Sequence, residues 1–355
     1  MNKKQLKKTE WSILICTVIL IAIGLFALAS ATKGSEFEDL KKQIIWVVVS
    51  IPILIAAALI DYKSIAKISI GFYIASIILL IAVLLTSAIN GATSWFNLGP
   101  ISIQPAEFSK IAVVLFLANI MSGMSRTEIN KPLKLLLILG ISLVPILLII
   151  MQPDYGTAMA YVVATVVMLY VAGIDKKYII VALLVIIIAV PLLYFFVLPE
   201  HAKQRIDVYL NPYLDPRGAG YNIIQSKLAI GAGRLLGQGW MNGTQTHLGF
   251  LYPKTTDFIF AVIGEEMGFI ACVSIIILYI VLITRAINVA KSARDDLGSY
   301  ISAGISRNIY IPCFRKYRND NGTITNNRSA TTICKLWRKL NDNKHDLCWT
   351  IAKHK

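Results

Sequence analysis

Apolar runs of membrane-spanning length alternate with short polar turns through the first three hundred residues. They occupy roughly 12–32, 43–60, 65–87, 105–123, 133–151, 156–174, 178–198 and 257–284. A bilayer offers no water to satisfy the backbone, so each run predicts a helix whose hydrogen bonds close within the segment. One stretch breaks the rhythm. Residues 199–256 form a long, glycine-rich polar interruption that contains Arg205, Asp207, Asp215, Arg217, Lys227 and Arg234. Loops longer than about 15 residues in a compact protein are as a rule functional or disordered. Here Tyr209, Tyr213, Tyr221, Ile223, Ile224, Leu228, Ile230 and Trp240 supply apolar material to pack, which predicts a folded cap and the active region of the molecule.

Composition sharpens this picture. With 56% apolar and 15% charged residues, the chain reads as an all-α polytopic membrane protein and not as a soluble core. Lys3, Lys4, Lys7 and Lys8 precede a first run, Ser12 to Ala31, that is long enough to span, so no cleavable leader is expected. The net charge of +15 does not point to nucleic acid, because more than half of it lies in the last fifty residues and the rest flanks the spans. Five cysteines are scattered without metal or disulfide spacing.

Charge in the short loops sets the orientation. With a cytoplasmic N-terminus, the inner segments hold the N-terminal lysines, Lys63, Lys67, Arg126, Lys131, Lys134, Lys176, Lys177, Arg285, Lys291 and Arg294, whereas the short outer loops hold only Lys33, Lys41 and Lys42. That asymmetry places 199–256 outside. It also places outside GATSWFNLGPISIQPAEFSK (91–110), QPDYGTA (152–158) and TTDFIFA (255–261). Four polar stretches on one membrane face predict a single extracytoplasmic site.

The character of the chain changes after about Gly304. Arg307, Arg315, Lys316 and Arg318 interrupt a ninth apolar run that starts near Tyr300, and residues 306–355 read as a basic tail and not a domain. Reading one nucleotide later, permissible codons for 307–355 encode two apolar segments around PLPFVSYGGSS, and Trp337 and Trp349 necessarily become glycine. A frameshift near codon 306 is therefore expected, leaving 1–305 as the membrane domain.

The four outer stretches, with DPRGAGYNIIQSKLAIGAGRLLGQG and TTDFIFAVIGEEMGF, resemble the SEDS family of shape, elongation, division and sporulation proteins (RodA, FtsW, SpoVE) over about residues 10–305. The GTQ at 243–245 and the YPKTTDFIFA stretch are more similar to its RodA branch. The resemblance implies a ten-helix bundle, of which about eight complete spans are retained, so the chain as it stands is expected to be inactive. It also implies a peptidoglycan glycosyltransferase in the bacterial cytoplasmic membrane that polymerises lipid II onto a growing glycan strand beside a class B penicillin-binding protein. One departure is local: Tyr252-Pro253-Lys254 stands where the family commonly has Leu-Pro-Glu, exchanging an acid for a base.

Such a reaction joins a sugar hydroxyl to an anomeric carbon that carries a lipid diphosphate. It needs a base for the hydroxyl proton and positive charge, or a divalent cation, for the diphosphate. Asp257 at a helix start, capped by Thr255 or Thr256, would stay ionised there; an ordinary helix-start aspartate would look the same, and the resemblance assigns it the catalytic role. Glu107 and Lys110 share a helix face and form either a bundle salt bridge or a substrate or metal contact. Trp95 is an interface anchor or a wall of the substrate groove. Arg205, Arg217, Lys227 and Arg234 are candidates for the diphosphate, although a solvated loop would carry such residues anyway. Asp154 is expected as a helix cap and structural hub, with Gln104, Pro105, Gln152, Pro153 and Gly156 in the same structural motifs. Glu265 and Glu266 lie inside a span, where carboxylates are costly, and are expected to pair with a cation on a neighbouring helix.

GAGRLLGQG lacks the Lys-Ser/Thr ending of a phosphate loop and lies outside, which excludes nucleotide binding. Two other classes suit the polytopic form: a flippase for lipid-linked precursor, and a scaffold that only positions the penicillin-binding protein. A flippase should show a polar path and internal repeats, which are not evident, and a scaffold has no use for Asp257.

Overall fold

Each predicted run becomes helical in the computed structural model, which describes residues 10–86, 94–98, 101–197, 200–218, 220–251, 255 and 258–305. In order, the helices are α1 (Trp11–Ala31), α2 (Glu38–Leu59), α3 (Tyr62–Lys67), α4 (Ser69–Leu84), α5 (Pro105–Ser122), α6 (Arg126–Ile129), α7 (Pro132–Met151), α8 (Tyr155–Val171) and α9 (Lys176–Leu192). The series continues with α10 (Glu200–Leu210), α11 (Tyr221–Ala232), α12 (Thr244–His247), α13 (Ile259–Lys291) and α14 over 296–305. The expected third span is divided at Ile68 into α3 and α4, and Asp61 starts α3 by accepting a hydrogen bond from the Lys63 amide. A two-stranded hairpin, β1 (Phe96–Leu98) with β2 (Ile101–Ile103), precedes α5 and pairs Phe96 with Ile103. The interruption at 199–256 is a folded cap carrying α10, α11 and α12, as its apolar content predicts. The basic tail 306–355 lies outside the described residues.

Cohesion in lipid comes from close packing and hydrogen bonds between helices, because the acyl chains are as apolar as the side chains. α4 runs along α5, α1 along α13, α11 along the start of α13, and α7 along α8. Hydroxyls bind these neighbours together. Ser109 donates to Ser76 at 3.2 Å between α5 and α4, Tyr73 donates to the Ile141 carbonyl of α7, and Tyr161 of α8 donates to the Ala106 carbonyl of α5 at 2.6 Å. Ile13, Leu20, Ala27 and Leu28 of α1 lie in one buried core with Cys272, Ile275, Tyr279 and Leu282 of α13. Large apolar side chains on the outer faces, such as Ile45, Val48, Ile78, Leu136 and Ile188, are exposed and face the bilayer.

At the end where α1 begins, a polar clasp joins the first and last parts of the bundle. Asp295 accepts from the Tyr62 hydroxyl at 2.8 Å and pairs with Lys63 at 3.0 Å. Burial works against its charge, but Lys63, Tyr62 and the Gly298 amide outweigh it and hold the carboxyl below its ordinary pKa.

Candidate active site

Two polar groups form at the other end of the bundle. The first is built where the hairpin runs into α5. Pro105 occupies the first turn of α5, where its missing N–H costs nothing. Gln104 precedes it with an extended backbone and sends its amide group across to Asp154, donating to Oδ2 at 2.7 Å. Asp154 in turn caps α8, accepting from the Thr157 amide at 3.1 Å and the Thr157 hydroxyl at 2.7 Å. One buried carboxylate thus joins the starts of α5 and α8, while Pro153 precedes the cap and Gly156 sits in the first turn it opens. Gln152 is fully buried and donates to the Leu80 carbonyl at 3.1 Å, and its own carbonyl accepts from Ser94. That last bond fixes the backbone beside Trp95, whose ring is half-buried at the entry to the hairpin.

The first two turns of α5 present Glu107 and Lys110. Their charged ends are 2.6 Å apart, and the side chains are only 12% and 15% exposed. A pair so removed from water is held by mutual attraction, and breaking it is costly.

The second group belongs to α13 and the cap. Glu265 is fully buried and accepts from the amides of Gln245 (2.6 Å) and Thr246 (3.0 Å), and from the Thr246 hydroxyl (2.6 Å). Among the described residues its partners are the first amides of α12 and the hydroxyls of Thr244 and Thr246, where a cation on a neighbouring helix was expected; charge-assisted bonds of this kind stabilise a buried carboxylate. Glu266 accepts from Ser30 of α1 at 2.5 Å and lies 3.4 Å from Nε2 of His247. Ser30, Thr246 and His247 were not singled out from the sequence. Only the GTQ at 243–245 marked that loop, and Ser30 carries no local signal.

Immediately after this pair the helix breaks. Gly268 has φ 79°, a left-handed conformation that a side chain disfavours. The orphaned groups on either side are taken up by the cap. Gln238 and Gly239 donate to the carbonyls of Glu265 and Glu266, while Phe269 and Ile270 donate to those of Arg234 and Leu235. A Cβ on Gly268 would fall 2.3 Å from the Gly237 nitrogen, so both positions require glycine. The eighth span, expected as continuous, is two helical pieces joined through the cap.

Arg217 is exposed on a turn of the cap, and Arg205 lies in α10. Asp257 lies outside the described residues, as does Thr256; α13 begins at Ile259, two residues beyond the aspartate, with Phe258 at the cap position. Among the described residues no three His, Cys, Asp or Glu side chains gather as a donor set for a metal ion.

Comparison with known proteins places these features. Residues 5–320 match the family model for FtsW, RodA and SpoVE, described as cell cycle protein. The chain is 35% identical over 319 residues to the peptidoglycan glycosyltransferase MrdB of Escherichia coli, covering 87% of this chain and 85% of that one. It is 34% identical over 320 residues to stage V sporulation protein E of Bacillus subtilis, covering 86% of each. Among solved structures, a chain of a peptidoglycan synthase complex superposes with a TM-score of 0.79 at 21% identity, covering 96% of this chain and 97% of that one. The rod shape-determining protein RodA of Thermus thermophilus gives 0.63 at 21% identity, covering 97% and 94%. At such identities these two likenesses establish the fold.

Proposed function

The chain belongs to the FtsW/RodA/SpoVE family of cell cycle proteins, and from that premise we propose that it is a peptidoglycan glycosyltransferase polymerising lipid II at the outer face of the cytoplasmic membrane. The observation that carries the activity is its 35% identity to a peptidoglycan glycosyltransferase along 85% of that enzyme's length. The loop charges support a cytoplasmic N-terminus, which puts both polar groups on the outer side.

In this reading the acceptor sugar's hydroxyl attacks the anomeric carbon of the donor as the bond to the lipid diphosphate breaks. Asp257 takes the hydroxyl proton, and the diphosphate leaves with the bonding electrons. A base of this kind contributes roughly 10²–10⁴-fold. Arg205 and Arg217 in the cap are candidates for receiving the diphosphate. Lys110, held by Glu107, offers a buried positive charge near the membrane surface, and Trp95 a flat wall for sugar. Asp154, Gln104 and Glu265 hold the framework. The growing glycan strand is the acceptor, and a class B penicillin-binding protein is the partner; the likeness to a chain of a peptidoglycan synthase complex supports such an assembly.

Purified protein with the frame restored near codon 306, incubated with lipid II, should yield glycan polymer resolvable on a gel, and Asp257→Asn in that protein should lower the rate by at least about 100-fold. Lipid II moved across vesicles without polymer would favour the flippase instead.

A further inference from the structure

Segment 234–240 of the cap carries more exposed apolar surface than an aqueous loop tolerates. Leu235 is 65% and Leu236 79% exposed, at a tip that Arg234 begins. The chain has fixed this tip to two membrane helices at measurable depths. Its backbone is bonded to Phe269 and Ile270, immediately after the break in α13, and both of those side chains are themselves more than half exposed. From Phe269 to the exposed Arg285 the helix rises about 24 Å, at 1.5 Å per residue. The hydrocarbon layer is about 30 Å thick. An exposed guanidinium belongs at the far boundary of that layer, which leaves the break, and the tip bonded to it, inside the near leaflet.

α1 gives an independent measure. Trp240 stacks on Phe26 with ring centroids 4.5 Å apart and donates from its indole nitrogen to the Phe26 carbonyl at 3.2 Å. Phe26 lies five residues before the end of α1, about 7 Å down the helix. Both helices therefore set the segment below the level at which α1 ends. Part of its irregular backbone is satisfied without water: the Gln238 and Gly239 amides and the Arg234 and Leu235 carbonyls bond to the broken helix, and the Gly237 amide to the Gly233 carbonyl.

We propose that residues 234–240 form a re-entrant finger immersed in the phospholipid leaflet on the cap side. Leu235, Leu236 and Trp240 meet the acyl chains, continuing the lipid-facing surface of Phe26, Phe269 and Ile270. Arg234 turns its guanidinium back to the phosphate layer, as long basic side chains do near a membrane boundary. The inference rests on the spans alone and holds whichever face is outside and whatever the reaction.

The test uses the full chain with its native cysteines replaced, reconstituted in vesicles of phosphatidylethanolamine and phosphatidylglycerol. An environment-sensitive fluorophore is attached at Leu236→Cys, at Leu235→Cys as an independent second position, and at Arg217→Cys on the exposed turn as the aqueous reference. Labels at 235 and 236 should be quenched by lipids carrying a nitroxide high on the acyl chain and be at least about threefold less sensitive to aqueous iodide than the label at 217. Iodide quenching at 235 and 236 equal to that at 217 would overturn the proposal. Protection from iodide without quenching by the nitroxide lipids would also overturn it, since the finger would then be covered by protein and not by lipid.

Discussion

Glu107 and Lys110 are two charges that can be removed separately or together, which separates their possible roles. Each is mostly buried, so Glu107→Gln or Lys110→Met alone should cost about 3–5 kcal/mol by breaking the buried pair. The double variant should recover most of the stability, read as Tm in detergent, because neither charge of the pair remains. Polymerisation of lipid II should stay low in the double variant if Lys110 touches substrate; recovery of both quantities would reduce the pair to a bundle salt bridge. At this scale the sequence was legible where a residue acts on its own neighbours. Asp154 is readable as a cap because Thr157 follows in the same turn. Glu265 was not, because its partners are amides about twenty positions earlier, and backbone donors leave no trace in residue type.

Helices show the same division between local and distant causes. The apolar runs were legible because lipid solvates whole faces and so demands continuous apolar length. The hairpin at 96–103 was not, since its strands are three residues each and sit within a motif mixed in polarity. The break in α13 was also hidden: a lone glycine in Glu-Glu-Met-Gly-Phe is compatible with an unbroken helix, and the reason for it lies in the close approach of the distant Leu235–Gly237 backbone. Gly268→Ala should therefore be among the most damaging single-methyl changes in the chain. It combines a left-handed backbone, costing about 1–3 kcal/mol, with contact at 2.3 Å to the Gly237 nitrogen. The expected result is a lower Tm and loss of the cap from its seat, visible as faster proteolysis between α11 and α13.

For the molecule as a whole, the tail decides whether the bundle is complete. We propose that the basic sequence after residue 305 replaces the last membrane helices through a frameshift. Without them, inner faces that should be covered by protein meet lipid. Restoring the frame near codon 306 should raise both accumulation in the membrane and lipid II polymerisation, measured side by side with the chain as it stands. Equal activity of the two would mean that the eight described spans suffice. The pairing of α1 with α13 carries a consequence for assembly on the ribosome. Ser30 and Glu266 bond across 236 residues of sequence. The first helix to enter the bilayer is thus obliged to wait for one of the last, with the Ser30 hydroxyl unclaimed by its final partner until α13 has been synthesised. A synthesis arrest anywhere between α2 and the cap leaves α1 inserted but unmated, and so available to membrane quality control.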